Sequence, residues 1–218
     1  MQLFNKEASK KIFAHTWYIY PLLVGIITVV WVWGFQAFHQ PTSHQTILMF
    51  FAAKVTDQSF ATTIKTEHYS RENLREVEIH SCLPDNATSF GTMLKLYIQK
   101  ADILVLDKKT LDDFKGYQDR FFLDIDDDLK NSDYKYSDYT DFYTYEDEQH
   151  KTYNYGIKIR NKGATTSYLD KYMKFDEGYD YYACFGLGST NLGYKGGEHN
   201  VKYDNALTYM KYLLDLHD

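Results

Sequence analysis

Residues 17–38 read WYIYPLLVGIITVVWVWGFQAF and contain no charged side chain. A helix needs roughly 20 apolar residues to cross a bilayer core about 30 Å thick, and this run supplies about 22. A cleaved signal peptide is the main alternative, but its apolar core is shorter and ends in small residues. This run instead ends in Gln36-Ala37-Phe38-His39. It is also longer than a buried helix of a globular core, so it predicts a single transmembrane α-helix at 17–38.

The charges around this run predict its direction. Lys6, Lys10 and Lys11 precede it, and the polar stretch HQPTSHQ after it carries no lysine or arginine. The positive-inside rule then predicts a cell-membrane protein with a cytoplasmic N-terminus and an extracellular C-terminal domain. The predicted divisions are the cytoplasmic 1–16, the transmembrane 17–38, the linker 39–45 and the extracytoplasmic domain 46–218.

Composition excludes one class of partner. The net charge is −6, so no basic surface is expected to pair with phosphates, and we predict no nucleic-acid partner. The two cysteines, Cys82 and Cys184, can form a disulfide outside the cell, or they can be separate buried thiols. We favour separate thiols. The 21 tyrosines offer large amphipathic contact area, which is typical of a surface that meets a partner, but they can also be a compositional bias.

After the linker, apolar runs alternate with helical patterns. The predicted strands are 46–53, 76–81 and 102–107, and each is followed by an amphipathic pattern that begins near Thr56 or Asp57, at Ser89, and at a capping box of Thr110 with Asp113. Strands that alternate with helices in this way predict an α/β domain with a mostly parallel sheet and helices on both faces.

The alternation breaks in the second half of the chain. Residues 124–152 are rich in tyrosine and aspartate and predict a long surface excursion. Strands are predicted at 153–159 and 179–187, a glycine-rich loop at 190–200, and a closing helix at 205–216.

Three stretches carry a family resemblance. Asp102-Ile-Leu-Val-Leu-Asp107 resembles a strand of extracytoplasmic solute-binding proteins. Tyr155-Gly-Ile-Lys-Ile159 resembles the strand on which their chain leaves the first lobe, and Tyr181-Tyr-Ala-Cys-Phe-Gly186 resembles the strand on which it returns. The resemblance implies a fold like one lobe of a type II solute-binding protein. Because only about 20 residues separate the leaving and returning strands, the second lobe that would enclose a ligand is absent.

The chemical motifs are weak. The acidic run from Asp124 to Asp128 lacks the glycine and glutamate of a calcium loop, since Leu129 and Lys135 hold those positions. His80 and Cys82 share a strand face, but no orienting or oxyanion group accompanies them. We therefore predict no enzyme activity, no catalytic residues, no metal and no cofactor.

Two functions follow as expectations. The first is a non-enzymatic, membrane-anchored accessory or scaffold subunit of a bacterial membrane complex, with other membrane proteins, an ABC-type transporter above all, as partners and the bilayer contacted through 17–38. Its candidate partner-binding residues are Gly25, Thr28, Gly34, Tyr136, Tyr139, Tyr143 and Tyr145.

The alternative function is an extracytoplasmic receptor for a small solute or peptide. Open α/β sheets bind ligands at the carboxyl ends of their strands. The candidate ligand-binding residues there are Lys54, Thr56, Asp57, Ser81, Asp85 and Asp107.

Overall fold

The chain divides into two compact units, Met1–Gln40 and Pro41–Asp218. The computed structural model describes residues 16–39, 42–68, 73–85, 87–129, 136, 139–164, 167–195, 198–200 and 204–215. Every strand formed by these residues lies in the second unit.

The first unit is built on one helix, α1, Ile19–His39. The prediction of a transmembrane helix at 17–38 is wrong, because no helix among the described residues is both long enough and apolar enough to cross a bilayer. Regular helix begins only at Ile19, and its apolar run ends at Phe35, before Gln36. At 1.5 Å per residue these roughly 17 residues reach about 26 Å, short of a core about 30 Å thick. The predicted single-pass membrane location, with its cytoplasmic and extracellular sides and its bilayer contact, is corrected with it.

The tryptophans of the chain all belong to this first unit. They are Trp17, Trp31 and Trp33, and their side chains are exposed. The ring of Trp31 stacks on that of Phe35 with centroids 5.5 Å apart. The indole groups therefore report on the first unit alone.

The second unit is organised around a six-stranded sheet. Its strands are β1 Thr46–Phe51, β3 Glu76–Ser81, β4 Ile103–Asp107, β5 Phe142–Glu146, β6 Thr152–Arg160 and β8 Tyr181–Phe185. Their order across the sheet is β3-β1-β4-β8-β6-β5. Two short antiparallel ladders lie outside this sheet: β2 Lys54–Val55 with β7 Met173–Lys174, and β9 Tyr194–Lys195 with β10 Glu198–His199.

The prediction of a mostly parallel sheet is wrong. β1 is parallel to β3 and to β4, but the pairs β4–β8, β8–β6 and β6–β5 are antiparallel. The reason lies in the connections. Parallel neighbours need a crossover, usually a helix, and only the first half of the chain supplies such helices. β6 and β8 are joined by 161–180, where the described residues form a short 3₁₀ turn, Tyr168–Lys171, and β7.

Helices pack against both the parallel and the antiparallel parts of the sheet. They are α2 Ser59–Thr63, α3 Ala87–Tyr97, α4 Lys108–Asp113, α5 Ile125–Asp128 and α6 Asn205–Asp215, with 3₁₀ turns at Ser43–Gln45 and Gln118–Arg120 and a π-helical turn at Ile64–His68. Adjacent residues of β1 point to opposite faces. Phe51 contacts Phe60 of α2, and Phe50 contacts Phe90 and Tyr97 of α3, so α2 and α3 lie on opposite sides.

A buried carboxylate ties together the amino-terminal end of the sheet. Asp102 is 3% exposed and accepts hydrogen bonds from the Leu48 amide at 2.8 Å, the Ser189 hydroxyl at 2.6 Å and the Asn191 side-chain amide at 3.0 Å. Asn191 also donates to two carbonyls of the segment that leads into β1. The loop after β8 is thereby fastened to β1 and β4, away from the carboxyl ends of those strands.

This carboxylate predicts a pH dependence of stability. Burial raises the pKa of Asp102 above its ordinary value of 3.8, although its hydrogen-bond donors act to lower it. Between 3.8 and the raised value, the folded protein keeps a proton that the unfolded chain has released. The free energy of unfolding contributed by Asp102 should therefore fall as pH rises through this window. Urea unfolding between pH 4 and 8 measures it, and subtracting the curve of Asp102→Asn isolates it from other carboxylates. Parallel curves for the two proteins would contradict the prediction.

Candidate ligand-binding cavity

A cavity of about 310 Å³ lies beside the carboxyl ends of β1 and β3. Its lining residues come from β2, the start of α2 and β3, and they are Val55, Asp57, Gln58, Phe60, Ala61, Ile79 and Ser81. A volume of this size is at the lower end of the range for small-molecule sites and suits a small solute or one long side chain.

The start of α2 forms one wall and is held in place by Asp57. The carboxylate of Asp57 accepts a hydrogen bond from the Ser59 amide at 2.8 Å, and this bond lowers the pKa of Asp57. Asp57 is exposed at the cavity and is therefore ionised at neutral pH. Beside it, Phe60 is 1% exposed and packs against Phe51 and against Tyr172, whose ring centroid is 4.9 Å away. A rigid aromatic surface thus adjoins a fixed negative charge.

The opposite wall is β3. Ile79 and Ser81 are two residues apart on this strand, so their side chains point to the same face, which is the face that α2 covers. The Ser81 hydroxyl oxygen accepts a hydrogen bond from the Val55 amide at 3.2 Å, which ties the end of β3 to β2. A hydroxyl retains its own proton as a donor when it accepts in this way. Ser81 can therefore donate to a ligand while it holds the wall together.

A third element, the segment 161–180, supports β2 from the other side. The amides of Thr56 and Asp57 both donate to the Tyr172 carbonyl, at 2.8 and 3.1 Å. β2 and β7 pair so that Val55 lies opposite Met173. The part of the cavity wall that comes after β1 is therefore fixed by main-chain hydrogen bonds and not by side-chain packing alone.

The predicted ligand-binding residues separate into two groups. Asp57 and Ser81 line the cavity. Lys54 and Thr56 flank the lining residue Val55, and Lys54 is exposed. Four of the six predicted residues thus lie in or beside this cavity, and their role in binding stays a prediction.

Asp107 and Asp85 lie outside the cavity lining. Asp107 is 1% exposed and caps α4, since its carboxylate accepts from the Thr110 amide at 2.9 Å and from the Thr110 hydroxyl at 2.6 Å. Asp85 is exposed in the turn after β3, where its charge contributes to the raised pKa of the Cys82 thiol. Asp107 therefore serves the fold, and Asp85 adds negative charge near the end of β3.

Five lining residues were not predicted from the sequence as part of a site: Val55, Gln58, Phe60, Ala61 and Ile79. By pattern, Phe60 and Ala61 fit only the apolar face of a helix. Their pattern gave no sign of an open space beside β3. The helix at Ser59–Thr63 continues directly into the π-helical turn at Ile64–His68.

The tyrosines predicted to bind a partner lie mostly against their own domain. Tyr136 is 4% exposed and donates to the Leu207 carbonyl, and Tyr143 is 6% exposed and donates to the Asp112 carboxylate at 2.9 Å. Tyr139 and Tyr145 are half-buried. Burial and Asp112 raise the pKa of Tyr143, as expected of a phenol inside the domain.

The partner-binding residues predicted in the first unit all lie on α1. Added Cβ atoms at Gly25 and Gly34 would meet nothing within 4 Å. The Thr28 hydroxyl donates to the Val24 carbonyl at 2.8 Å, which satisfies it within the helix. These positions are small residues on an exposed helix surface.

Neither His80 nor Cys82 lines the cavity. The His80 ring stacks on Tyr97 at 4.3 Å, and its Nδ1 lies 3.0 Å from the Tyr97 hydroxyl. Burial, with a smaller contribution from Asp85, raises the pKa of the Cys82 thiol, so little of it is thiolate at neutral pH. Cys82 and Cys184 are both free thiols.

The acidic run from Asp124 to Asp128 is hydrogen-bonded within itself and to Asn154 of β6. Asp124 accepts from the amides of Asp126 and Asn154, and Asp126 accepts from the Asn154 side chain at 2.5 Å. Across the described residues, no group of three or more His, Cys, Asp or Glu side chains is placed to share a metal ion.

The chain matches no protein-family model, no curated protein and no solved structure. The resemblance to solute-binding proteins and the transporter partner stay predictions.

Proposed function

We propose that the second unit is a binding module that takes up a small organic ligand, a solute or part of a peptide, in the cavity between β2, α2 and β3. The observation that carries the proposal is the composition of the cavity wall. Val55, Phe60, Ala61 and Ile79 supply apolar surface, and Asp57, Gln58 and Ser81 supply a few polar groups. Apolar walls with a small number of fixed polar groups are typical of small-ligand sites.

The position of the cavity also supports this proposal. It lies at the carboxyl ends of two parallel strands, β1 and β3, where open α/β sheets commonly bind ligands. Its walls are fixed by the Ser81 and Tyr172 hydrogen bonds, so little ordering is required when a ligand enters.

The charge of the cavity favours a cationic group on the ligand. Asp57 is the ionised lining residue, and its lowered pKa keeps it charged through the neutral range. We propose binding without catalysis, because the nearby Cys82 thiol has a raised pKa and the nearby His80 ring is held by Tyr97.

Filling the cavity should abolish binding. Ala61 is half-buried in the cavity wall, whereas the neighbouring Thr62 is exposed on α2. Ala61→Leu adds volume inside the cavity, and Thr62→Leu adds similar volume outside it. In a thermal-shift screen with amino acids, sugars, polyamines and short peptides, a ligand at 100 times its Kd should raise Tm by roughly 5–10 °C. Ala61→Leu should remove the shift and Thr62→Leu should keep it.

Two outcomes contradict the proposal. One is a screen in which no compound gives saturable stabilisation of the wild-type chain. The other is a ligand that stabilises Ala61→Leu as well as it stabilises Thr62→Leu, since such a ligand binds elsewhere.

A further inference from the structure

β3 is an edge strand whose outer side has a defined set of hydrogen-bonding groups. Within the described residues, its only strand neighbour is β1. The Cys82 amide donates to the Phe51 carbonyl in this pairing, so the even-numbered residues of β3 direct their main-chain groups to β1. Main-chain groups alternate in direction along a strand. Val77, Ile79 and Ser81 therefore present their amides and carbonyls to the outer edge.

The same alternation links this edge to the cavity. The side chains of Ile79 and Ser81 line it, and their main-chain groups face outward beside it. A strand added to this edge would lie about 4.8 Å from β3 and would direct every second side chain to the face that α2 covers. One of those side chains would then point toward the cavity.

The charges near the edge indicate which side chain fits. Asp57 is the acidic residue of the cavity lining, whereas Glu76 and Glu78 alternate with Val77 and Ile79 and so direct their side chains to the opposite face of β3. Three cations among the described residues are nearby, Lys54, Lys65 and Arg75, and none of them lines the cavity. Lys65 donates to the Arg75 carbonyl before the start of β3, and Lys54 precedes Val55, so its side chain leaves β2 on the opposite face. An apolar stem with a cationic tip matches walls of Phe60 and Ile79 next to Asp57.

We propose that the outer edge of β3 binds an extended basic peptide as an additional strand, with a lysine or arginine side chain in the cavity. This inference rests on the proposed function, because it identifies the ligand of the same cavity. The main-chain hydrogen bonds provide affinity, and the cavity provides selection for the cationic side chain.

The test uses the full chain and capped hexapeptides in isothermal titration calorimetry. The probe is acetyl-Val-Lys-Val-Lys-Val-Lys-amide, and N-acetyl-lysine methylamide is the single-residue reference. We expect the hexapeptide to bind at least tenfold more tightly than the reference. Two isomers are then compared, one N-methylated on every lysine amide and one on every valine amide. In an extended peptide only one of these two sets of amides faces β3.

One isomer should lose at least tenfold in affinity and the other should stay within about twofold of the parent. Loss in the lysine-methylated isomer indicates antiparallel addition, since directly opposed residues then exchange both hydrogen bonds. Loss in the valine-methylated isomer indicates parallel addition. Equal loss in both isomers, or in neither, overturns the inference.

Asp57→Asn tests the selection for a cation. Asparagine keeps an oxygen that accepts from the Ser59 amide, so α2 keeps its start. We expect this change to weaken the lysine peptide about tenfold and to leave a norleucine analogue unchanged. If the wild-type chain and Asp57→Asn bind the lysine and norleucine peptides equally well, then no cationic side chain of the peptide contacts Asp57.

The two proposals fail in distinguishable ways. If the reference compound binds and Ala61→Leu blocks it, but the hexapeptide binds no more tightly, the cavity is a ligand site and the edge inference is wrong. If neither probe binds, the edge inference is wrong, and the wider compound screen alone decides the proposed function.

Discussion

Asp102→Ala should lower the free energy of unfolding by about 3 kcal/mol or more, which is a large fraction of the stability of a typical domain. The alanine removes the common acceptor of the Leu48 amide, the Ser189 hydroxyl and the Asn191 amide. Those donors stay buried and lose a partner, and each such loss costs about 1–3 kcal/mol. Equilibrium urea unfolding followed by far-UV circular dichroism measures the change.

Asp102→Asn is the matched control for this substitution. Its side chain has nearly the same shape, and its amide can donate to the Ser189 hydroxyl oxygen while its oxygen accepts from Leu48 and Asn191. We therefore expect a loss of only about 1 kcal/mol. If alanine and asparagine destabilise equally, the network does not hold the amino-terminal end of the sheet together in the way its hydrogen bonds indicate.

Gly186→Ala should destabilise the domain by about 3 kcal/mol or prevent folding, because the new methyl group has no space. An ideal Cβ at Gly186 would lie 2.1 Å from the Ala101 carbonyl oxygen. That oxygen belongs to the main chain immediately before β4, and Gly186 itself donates to the Asp102 carbonyl at 3.1 Å. Neither side can shift without separating β4 from β8.

Gly91→Ala is the same chemical change, but we expect it to have the opposite effect on the free energy of unfolding. Gly91 lies within α3, and an ideal Cβ there meets nothing within 4 Å. Alanine in a helix interior is favoured over glycine by about 0.5–1 kcal/mol, so this variant should be slightly more stable. Two variants with the same sign of change would show that space at these glycines does not control the result.

The hydrophobic pattern was sufficient to predict most elements of the second unit. The continuous apolar run at 46–53 is β1, and the alternating residues at 76–81 are β3. Both patterns follow from how many faces of a strand are buried, which is a local property of the sequence.

Pairing direction was not predictable in the same way, because it depends on residues far apart in the chain. β5 lies in a segment whose tyrosines and acids conceal a strand, and among the described strands it pairs with β6. The start of α4 shows the same limit on a smaller scale. A capping box of Thr110 with Asp113 was expected, but Asp107 at the end of β4 is the cap.

Two residues of the cavity lining had been named from the sequence. Asp57 and Ser81 were proposed as ligand-binding residues because polar residues directly after parallel strands meet at one edge of a sheet, and that role stays a prediction. The apolar lining residues were not proposed, because Phe60 and Ile79 have the same sequence pattern whether or not a space lies between them. The composition of 17–38 predicted a transmembrane helix, and this was wrong, because the helix Ile19–His39 is not long and apolar enough to cross a bilayer.

The distribution of chromophores gives each unit its own optical signal. Indole emission arises only from the first unit, since Trp17, Trp31 and Trp33 all lie there. Of the two cysteines, Cys184 is 0% exposed and Cys82 is partly accessible at the end of β3. A maleimide dye added to the unaltered chain should therefore attach at Cys82, next to the edge strand. The dye's emission then reports on the second unit and the tryptophan emission on the first, so one sample gives both signals.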